Sequence, residues 1–146
     1  MRYVLVLMGF LVLAATPALA ASANEQSCAL RAAILSKGAT KPTDVVRTNF
    51  SWNTSLAPAT ISSALGYLDG PEYLDASVFL MSRVDGFYEM HLIAASVKDS
   101  APLFISLHYG KVGEEMRLIN VSFKDKLAEL FPSVTTAGIV PQTSCE

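Results

Sequence analysis

Apolar and polar residues alternate in four runs in the second half of the chain, and each run is bounded by turn-forming residues. The runs cover residues 76–84, 87–97, 103–109 and 116–123. Alternation with a period of two is typical of strands that bury one face of a sheet. The connections between the runs are too short for crossover helices, so the pattern predicts a four-stranded antiparallel meander.

Helical periodicity is found on either side of these strands. Residues 27–37 and 58–68 place apolar positions at helical spacing, and residues 124–131 fit a short third helix before a proline. Residues 44–47 fit either one helical turn or a short strand, and residues 21–26 are small and polar and are expected to fray. The predicted fold class is therefore α+β, with the N-terminal helices packed on the antiparallel sheet.

The first twenty residues have the layout of a secretory signal peptide. Arg2 is followed by an apolar run from Tyr3 to Ala15, and small residues lead up to Ala20. This run is shorter than the ~20 apolar residues of a membrane span, so no membrane association is expected after cleavage. The sequence therefore predicts a signal peptide at residues 1–20 and one globular domain at residues 21–146, located in the periplasm or secreted.

The predicted mature domain contains two cysteines, Cys28 and Cys145, near its two ends. In an oxidising compartment two cysteines can form a single intramolecular disulfide, and two free thiols or bonds between chains are the alternatives. The wide spacing does not match a redox motif. We therefore expect a stabilising Cys28–Cys145 disulfide.

Charge and motifs exclude several classes of function. Without the leader, ten basic and thirteen acidic residues remain, with no basic stripe, so nucleic acid is not an expected partner. The sequence has no polybasic amphipathic helix, so binding to a lipid surface is not expected. The sequence also has no glycine-rich phosphate loop, nucleophile elbow or zincin motif, so it predicts no cofactor and no metal.

The turns predict how the strands pair. Residues 85–86 are Asp-Gly, which favours a two-residue type I′ hairpin, and a second turn is centred at residues 99–100. This register places Leu80 and His108 on either side of His91. It also separates an almost wholly apolar face, expected to support the helices, from a face of mixed polarity. The mixed face contains the predicted pocket, whose residues are Leu80, Glu89, His91, Phe104, His108, Leu118 and Asn120.

Several interpretations of the mixed face remain open. A lining of aliphatic residues with a few polar groups is typical of a ligand pocket, but the 39–57 loop or a second subunit could also cover this face. His91, His108 and Glu89 could supply three zinc ligands, form a pH-sensitive hydrogen-bond cluster, or be structural.

A Ser-His-Asp set is another arrangement that the sequence allows. It would combine Ser106 and His108 with Asp75 or Asp85. Because the chain contains many serines, such a set has little weight.

The order of the elements resembles a known group of small domains. A second helix ending in Ala64-Leu65-Gly66-Tyr67, followed by a meander that ends with Met-Arg-Leu-Ile-Asn-Val-Ser-Phe at residues 116–123, is similar to the cystatin-like group. The resemblance is to the nuclear-transport-factor-2-like domains of exported bacterial proteins. It implies a cone of helices packed into a curved sheet, with the mixed face lining the cone. That group includes enzymes, ligand binders and interaction modules, so the resemblance implies no activity.

Three functional hypotheses follow. The first is an exported, non-enzymatic module that binds a protein or a small molecule, and that also fits a homodimer formed through the sheet. The second is a small hydrolase or isomerase in which His91 or His108 is the general base. The third is an inhibitor or immunity protein of an exported enzyme.

Overall fold

The computed structural model describes residues 21–36, 38–50, 65–130 and 143–145, and the predicted signal peptide lies outside these ranges. The described helices are α1 (Ala23–Leu35), α2 (Pro42–Asn49) and α3 (Leu127–Leu130), with a 3₁₀ turn at Gly66–Leu68. The strands are β1 (Tyr73–Val84), β2 (Tyr88–Val97), β3 (Leu103–Val112) and β4 (Glu115–Lys124). They form one antiparallel sheet in the order β1-β2-β3-β4, which confirms the predicted α+β fold and its meander. No helix within the described ranges is long and apolar enough to cross a membrane.

Helix α1 begins four residues before the predicted start, so the prediction that residues 21–26 fray is wrong. Ser22 and Glu25 form a capping box: the Glu25 backbone N–H donates to Ser22 Oγ at 3.2 Å, and the Ser22 N–H donates to Glu25 Oε2 at 2.6 Å. These two bonds satisfy N–H groups that would otherwise lack partners at the helix end.

Helix α2 settles the choice left open for residues 44–47 in favour of a helix. Its first turn is tied to the segment before β1, because the Thr43 N–H donates to Asp69 Oδ1 at 3.0 Å and the Thr43 hydroxyl donates to the Leu65 carbonyl at 3.1 Å. The predicted helix at residues 58–68 lies mostly outside the described residues.

The β1–β2 hairpin differs from the predicted two-residue turn. Val84 pairs with Tyr88, which leaves a three-residue loop at 85–87. Gly86 has a φ of +67°, whereas Asp85 is not in the positive-φ region that a type I′ turn requires at both central positions. The pairing of Leu80 with His91 is nevertheless as predicted, because a bulge after Leu80 absorbs the extra residue.

The β2–β3 register also differs from the prediction by one residue. Ala94 pairs with Phe104 instead of Ile105, and the connecting turn contains Asp99 at a φ of +54°. A shift of one residue moves a strand's side chains to the opposite face relative to its neighbour. Each face of the sheet therefore contains some residues that were predicted on the apolar face and some that were predicted on the mixed face.

One face of the sheet packs against α1 and α2, and we call it the helix face; the opposite side is the outer face. The core lies between the helix face and these two helices. The helix-face residues that are buried are Tyr73, Ala76, Val78, His91, Ile93, Ala95, Ile105, Leu107, Tyr109 and Leu118.

A disulfide joins Cys28 of α1 to Cys145, as predicted. It holds residues 143–145 beside β1, where the Thr143 N–H donates to the Val78 carbonyl at 2.8 Å. The segment thus covers part of the outer edge of β1, which would otherwise expose unpaired backbone groups.

Candidate functional site

The structure does not bring the seven predicted pocket residues together on one face. The strand pairing places four of them on the helix face, namely Leu80, Glu89, His91 and Leu118. It places the other three on the outer face, namely Phe104, His108 and Asn120. The sheet itself therefore separates the two groups.

The predicted juxtaposition of the two histidines is wrong. His91 lies opposite Leu107, and His108 lies opposite Met90. Adjacent residues of a strand point to opposite faces, so the two imidazoles are on different sides of the sheet. Glu89, His91 and His108 cannot share a zinc ion in this arrangement. Within the described residues no group of three or more His, Cys, Asp or Glu side chains is placed to hold a metal.

Glu89, which is partly buried, and His91, which is buried, form a cluster on the helix face. His91 Nε2–H donates to Glu89 Oε2 at 3.0 Å, and the other carboxylate oxygen accepts from Arg83 Nε at 3.1 Å. The His91 ring meets the Tyr109 ring edge-on with centroids 5.4 Å apart, and the Tyr109 hydroxyl lies 2.8 Å from Ser27 Oγ of α1. The cluster thereby links the strands to the first helix.

His91 is only 1% exposed, and its Nδ1 has no hydrogen-bond partner among the residues that the structure describes. Because the Glu89 carboxylate accepts from Nε2–H, Nδ1 of the neutral ring is an acceptor without a donor. Burial lowers the pKa of His91, although the hydrogen bond and the charge of Glu89 act in the opposite direction. Protonation would place a second N–H in this buried position, so the neutral ring is the form that fits.

A second polar cluster lies on the outer face. The Tyr88 hydroxyl is 2.7 Å from His108 Nδ1, and Ser106 Oγ is 2.9 Å from His108 Nε2. Ser106 and His108 were considered above as part of a Ser-His-Asp arrangement. In the structure the third residue of the cluster is Tyr88 and not an aspartate. Ser106 is only 2% exposed, so its hydroxyl is not accessible to a substrate in this structure.

The two histidines predict that stability depends on pH. Burial lowers the pKa of both His91 and His108 below the ~6.5 expected in the unfolded chain, so the unfolded state binds more protons as the solution is acidified. We expect the two histidines to make their full contribution to the free energy of unfolding above about pH 6.5. This contribution should be lost progressively below that pH, as the pH falls towards the pKa values of the folded state. Urea unfolding midpoints between about pH 8 and about pH 5 measure this dependence.

The His91→Gln, His108→Gln double variant is the control for that experiment. It should have a flatter profile between about pH 7.5 and about pH 5.5, a range in which few carboxylates titrate. A wild-type midpoint that is constant or rises on acidification over this range would contradict the prediction.

A cavity of about 410 Å³ lies between α1, α2 and the start of β1. This volume is within the range of about 300–1,000 Å³ that small-molecule sites occupy. Its lining is predominantly apolar, and the apolar lining residues are Ala33, Ile34, Pro42, Leu68, Pro71 and Tyr73. Sequence analysis missed this cavity because its walls come from three separate segments.

The polar groups at the cavity differ in how far they are already engaged. Asp69 accepts from the Thr43 N–H, Glu72 pairs with Lys98 at 2.8 Å, and the Tyr73 hydroxyl donates to the Leu68 carbonyl. Burial, together with the charge of Asp69, raises the pKa of Tyr73 to about 12, so this hydroxyl keeps its proton. Lys41 also lines the cavity and forms no ion pair among the described residues, which leaves its ammonium group for a ligand.

Comparisons of the chain with protein-family models, with curated proteins and with solved structures find no match. The fold is compatible with a small α+β domain, and the comparisons add no activity, ligand or partner.

Proposed function

We propose that this protein is an exported, non-enzymatic binding module that holds a small, largely apolar molecule in the cavity between α1 and α2. The observation that carries the proposal is the cavity itself, with its apolar walls and the ammonium group of Lys41, which forms no ion pair among the described residues. Burial of an apolar ligand against such walls would supply most of the affinity. The polar groups at the cavity would orient the ligand.

Two observations support export. Residues 1–20 have the charged, apolar and small-residue sections of a signal peptide. The Cys28–Cys145 disulfide is typical of the oxidising compartments that such a peptide leads to.

The order of elements supports a fold assignment as part of the proposal. Helices that precede a four-stranded antiparallel meander are also found in nuclear-transport-factor-2-like domains, which include ligand binders. The cavity proposed here is bounded by helices and the entry to β1, and it does not use the sheet face on which the sequence had placed the pocket.

A histidine-based hydrolase is less well supported. His108 and Ser106 are within hydrogen-bond distance, but a serine nucleophile must reach a carbonyl carbon, and Ser106 is buried. His91 has an orienting carboxylate in Glu89, yet it is more deeply buried still. Among the described residues, Ser106 is therefore not presented as a nucleophile and His91 is not presented as a base.

Native mass spectrometry of the mature protein, purified from its own exported fraction, tests the proposal. We expect a non-covalent mass excess over the disulfide-bonded chain. Ala33→Leu, which adds three carbons at the cavity wall, should abolish this excess or reduce ligand affinity at least about tenfold. Ala32→Leu is the matched control, because it is the same substitution at an exposed position of the same helix.

The outcomes separate clearly. Loss of the ligand in Ala33→Leu but not in Ala32→Leu, with both variants folded, supports the cavity as the site. Retention of the ligand in a folded Ala33→Leu variant would overturn it. Protein that carries no mass excess and binds no apolar fluorescent probe would overturn the proposed function itself.

A further inference from the structure

A second cavity, of about 320 Å³, lies beside the disulfide. Its walls are α1, β1 and the segment 143–145, and the described residues that line it are Arg31, Val78, Thr143, Ser144 and Cys145. The segment is fixed at both ends, since Cys145 is bonded to Cys28 and the Thr143 N–H donates to the Val78 carbonyl. One wall of the cavity is therefore fixed by a covalent bond and a backbone hydrogen bond.

Arg31 supplies the cationic group of this cavity. Its Nε–H donates to the Ala76 carbonyl at 2.6 Å, which fixes the plane of the guanidinium. No carboxylate in the described part of the chain lies within 4.0 Å of Arg31, although most other arginines and lysines there have such a partner. Its two terminal nitrogens are thus left for an acceptor, and little further side-chain freedom would be lost on binding.

The other polar groups of the lining are also suited to an acceptor. Thr143 and Ser144, which both carry hydroxyl groups, are among the lining residues, and the described lining contains no acidic residue. The nearby carboxylate of Asp75 accepts from the Ala76 N–H at 2.8 Å and forms no ion pair with Arg31. Among the described residues, the lining therefore offers a cation and two hydroxyl-bearing residues, with no acidic side chain beside them.

We propose that this cavity binds a carboxylate group. The terminal nitrogens of Arg31 form the two-pronged bond that guanidinium groups make to carboxylates, and the Thr143 and Ser144 hydroxyls donate to the remaining lone pairs. The carboxylate belongs either to a small organic acid or to the C-terminus of a peptide. A volume of about 320 Å³ accommodates no more than a small acid or the last residues of a peptide.

This site is independent of the α1–α2 cavity, because the two have no lining residue in common. Failure of one proposal leaves the other intact. The Ala33→Leu variant should therefore bind carboxylate as the wild type does.

Titration of the isotope-labelled, disulfide-bonded protein by NMR tests the proposal. Sodium acetate should cause saturable shifts of the Arg31 Nε–H signal and of the backbone amides of Val78, Thr143 and Ser144. Sodium chloride at the same ionic strength should cause none of them. Shifts that are equal in the two salts, or acetate shifts that do not saturate, would overturn the proposal.

A pair of capped peptides distinguishes the two sources of the carboxylate. N-acetyl-dialanine should bind if the site accepts a peptide C-terminus, and its C-terminal amide should not. Binding of acetate without binding of the peptide acid would identify small organic acids as the ligands. Equal binding of the peptide acid and its amide would contradict recognition of a carboxylate.

Substitution of Arg31 provides the decisive control. Arg31→Gln should weaken acetate binding at least about tenfold, whereas Arg31→Lys, which keeps the charge but cannot form a forked bond, should weaken it less. Lys111→Gln makes the same charge change at the far end of β3 and should have no effect. Unchanged binding by a folded Arg31→Gln variant, with wild-type shifts in β2 and β3, would overturn the proposal.

Discussion

Replacement of both Cys28 and Cys145 by alanine is expected to lower the free energy of unfolding by about 4–5 kcal/mol, the largest effect that we predict for any change in this chain. The two cysteines are 117 residues apart, so the disulfide closes a loop that includes nearly the whole domain. In the chain-entropy description, restraint of such a long loop in the unfolded state is the source of the stabilisation. Guanidinium-induced unfolding of the two proteins measures the difference directly.

The control for this experiment is Ser144→Ala, which leaves the disulfide in place while changing its immediate neighbour. Ser144→Ala should lower the free energy of unfolding by less than about 0.5 kcal/mol, since Ser144 is exposed. Domains of this size are commonly stable by only about 5–15 kcal/mol, so the loss expected for the double alanine variant removes between a third and nearly all of the free energy of unfolding. A loss below about 1 kcal/mol in that variant would contradict the chain-entropy description, in which the disulfide acts by restraining the unfolded chain.

The disulfide and the meander could be predicted because each depends on a strong local or compositional signal. Two cysteines allow only one pairing within the predicted mature chain, and each strand was bounded by its own turn residues. The capping box at Ser22 and Glu25 also has a sequence signature, Ser-x-x-Glu, which was overlooked when residues 21–26 were expected to fray. Rules that use only neighbouring residues were sufficient for features that a single stretch of sequence determines.

The register of paired strands changes when a connecting loop is longer or shorter by one residue, and the sequence predicted the wrong loop lengths here. Asp85-Gly86 favours a two-residue turn, but the loop includes Phe87 as well, and β1 compensates with a bulge. The turn between β2 and β3 has no such compensation before Ala94, so the pairing remains shifted by one residue. Side chains alternate with a period of two, so this single residue was enough to divide the predicted pocket between two faces.

The cavities could not be predicted from the sequence for a different reason. The α1–α2 cavity is closed by Leu68 and Tyr73, which are far from Ala33 in the chain. The cavity at Arg31 exists only because a distant segment is bonded to α1. Such sites depend on tertiary packing, to which neither periodicity nor motif spacing is sensitive.

The observed register predicts opposite consequences for two residues of β2. Ile93 lies on the helix face and has no exposed surface, whereas Met90 lies on the outer face and is partly exposed. Ile93→Ala should therefore cost about 2–5 kcal/mol of unfolding free energy, the range for emptying a packed core position. Met90→Ala should cost about 1 kcal/mol, because its side chain loses less burial.

The register inferred from the turns alone would reverse this order, since it places Met90 in the core and Ile93 on the mixed face. Urea unfolding of both variants, with unchanged slopes to confirm two-state behaviour, decides between the two registers. A larger loss for Met90→Ala would mean that β2 and β3 pair one residue away from the arrangement described here. His91 and His108 would then share a face, and a pocket on the sheet would replace the helix-bounded cavity as the first place to look for a ligand.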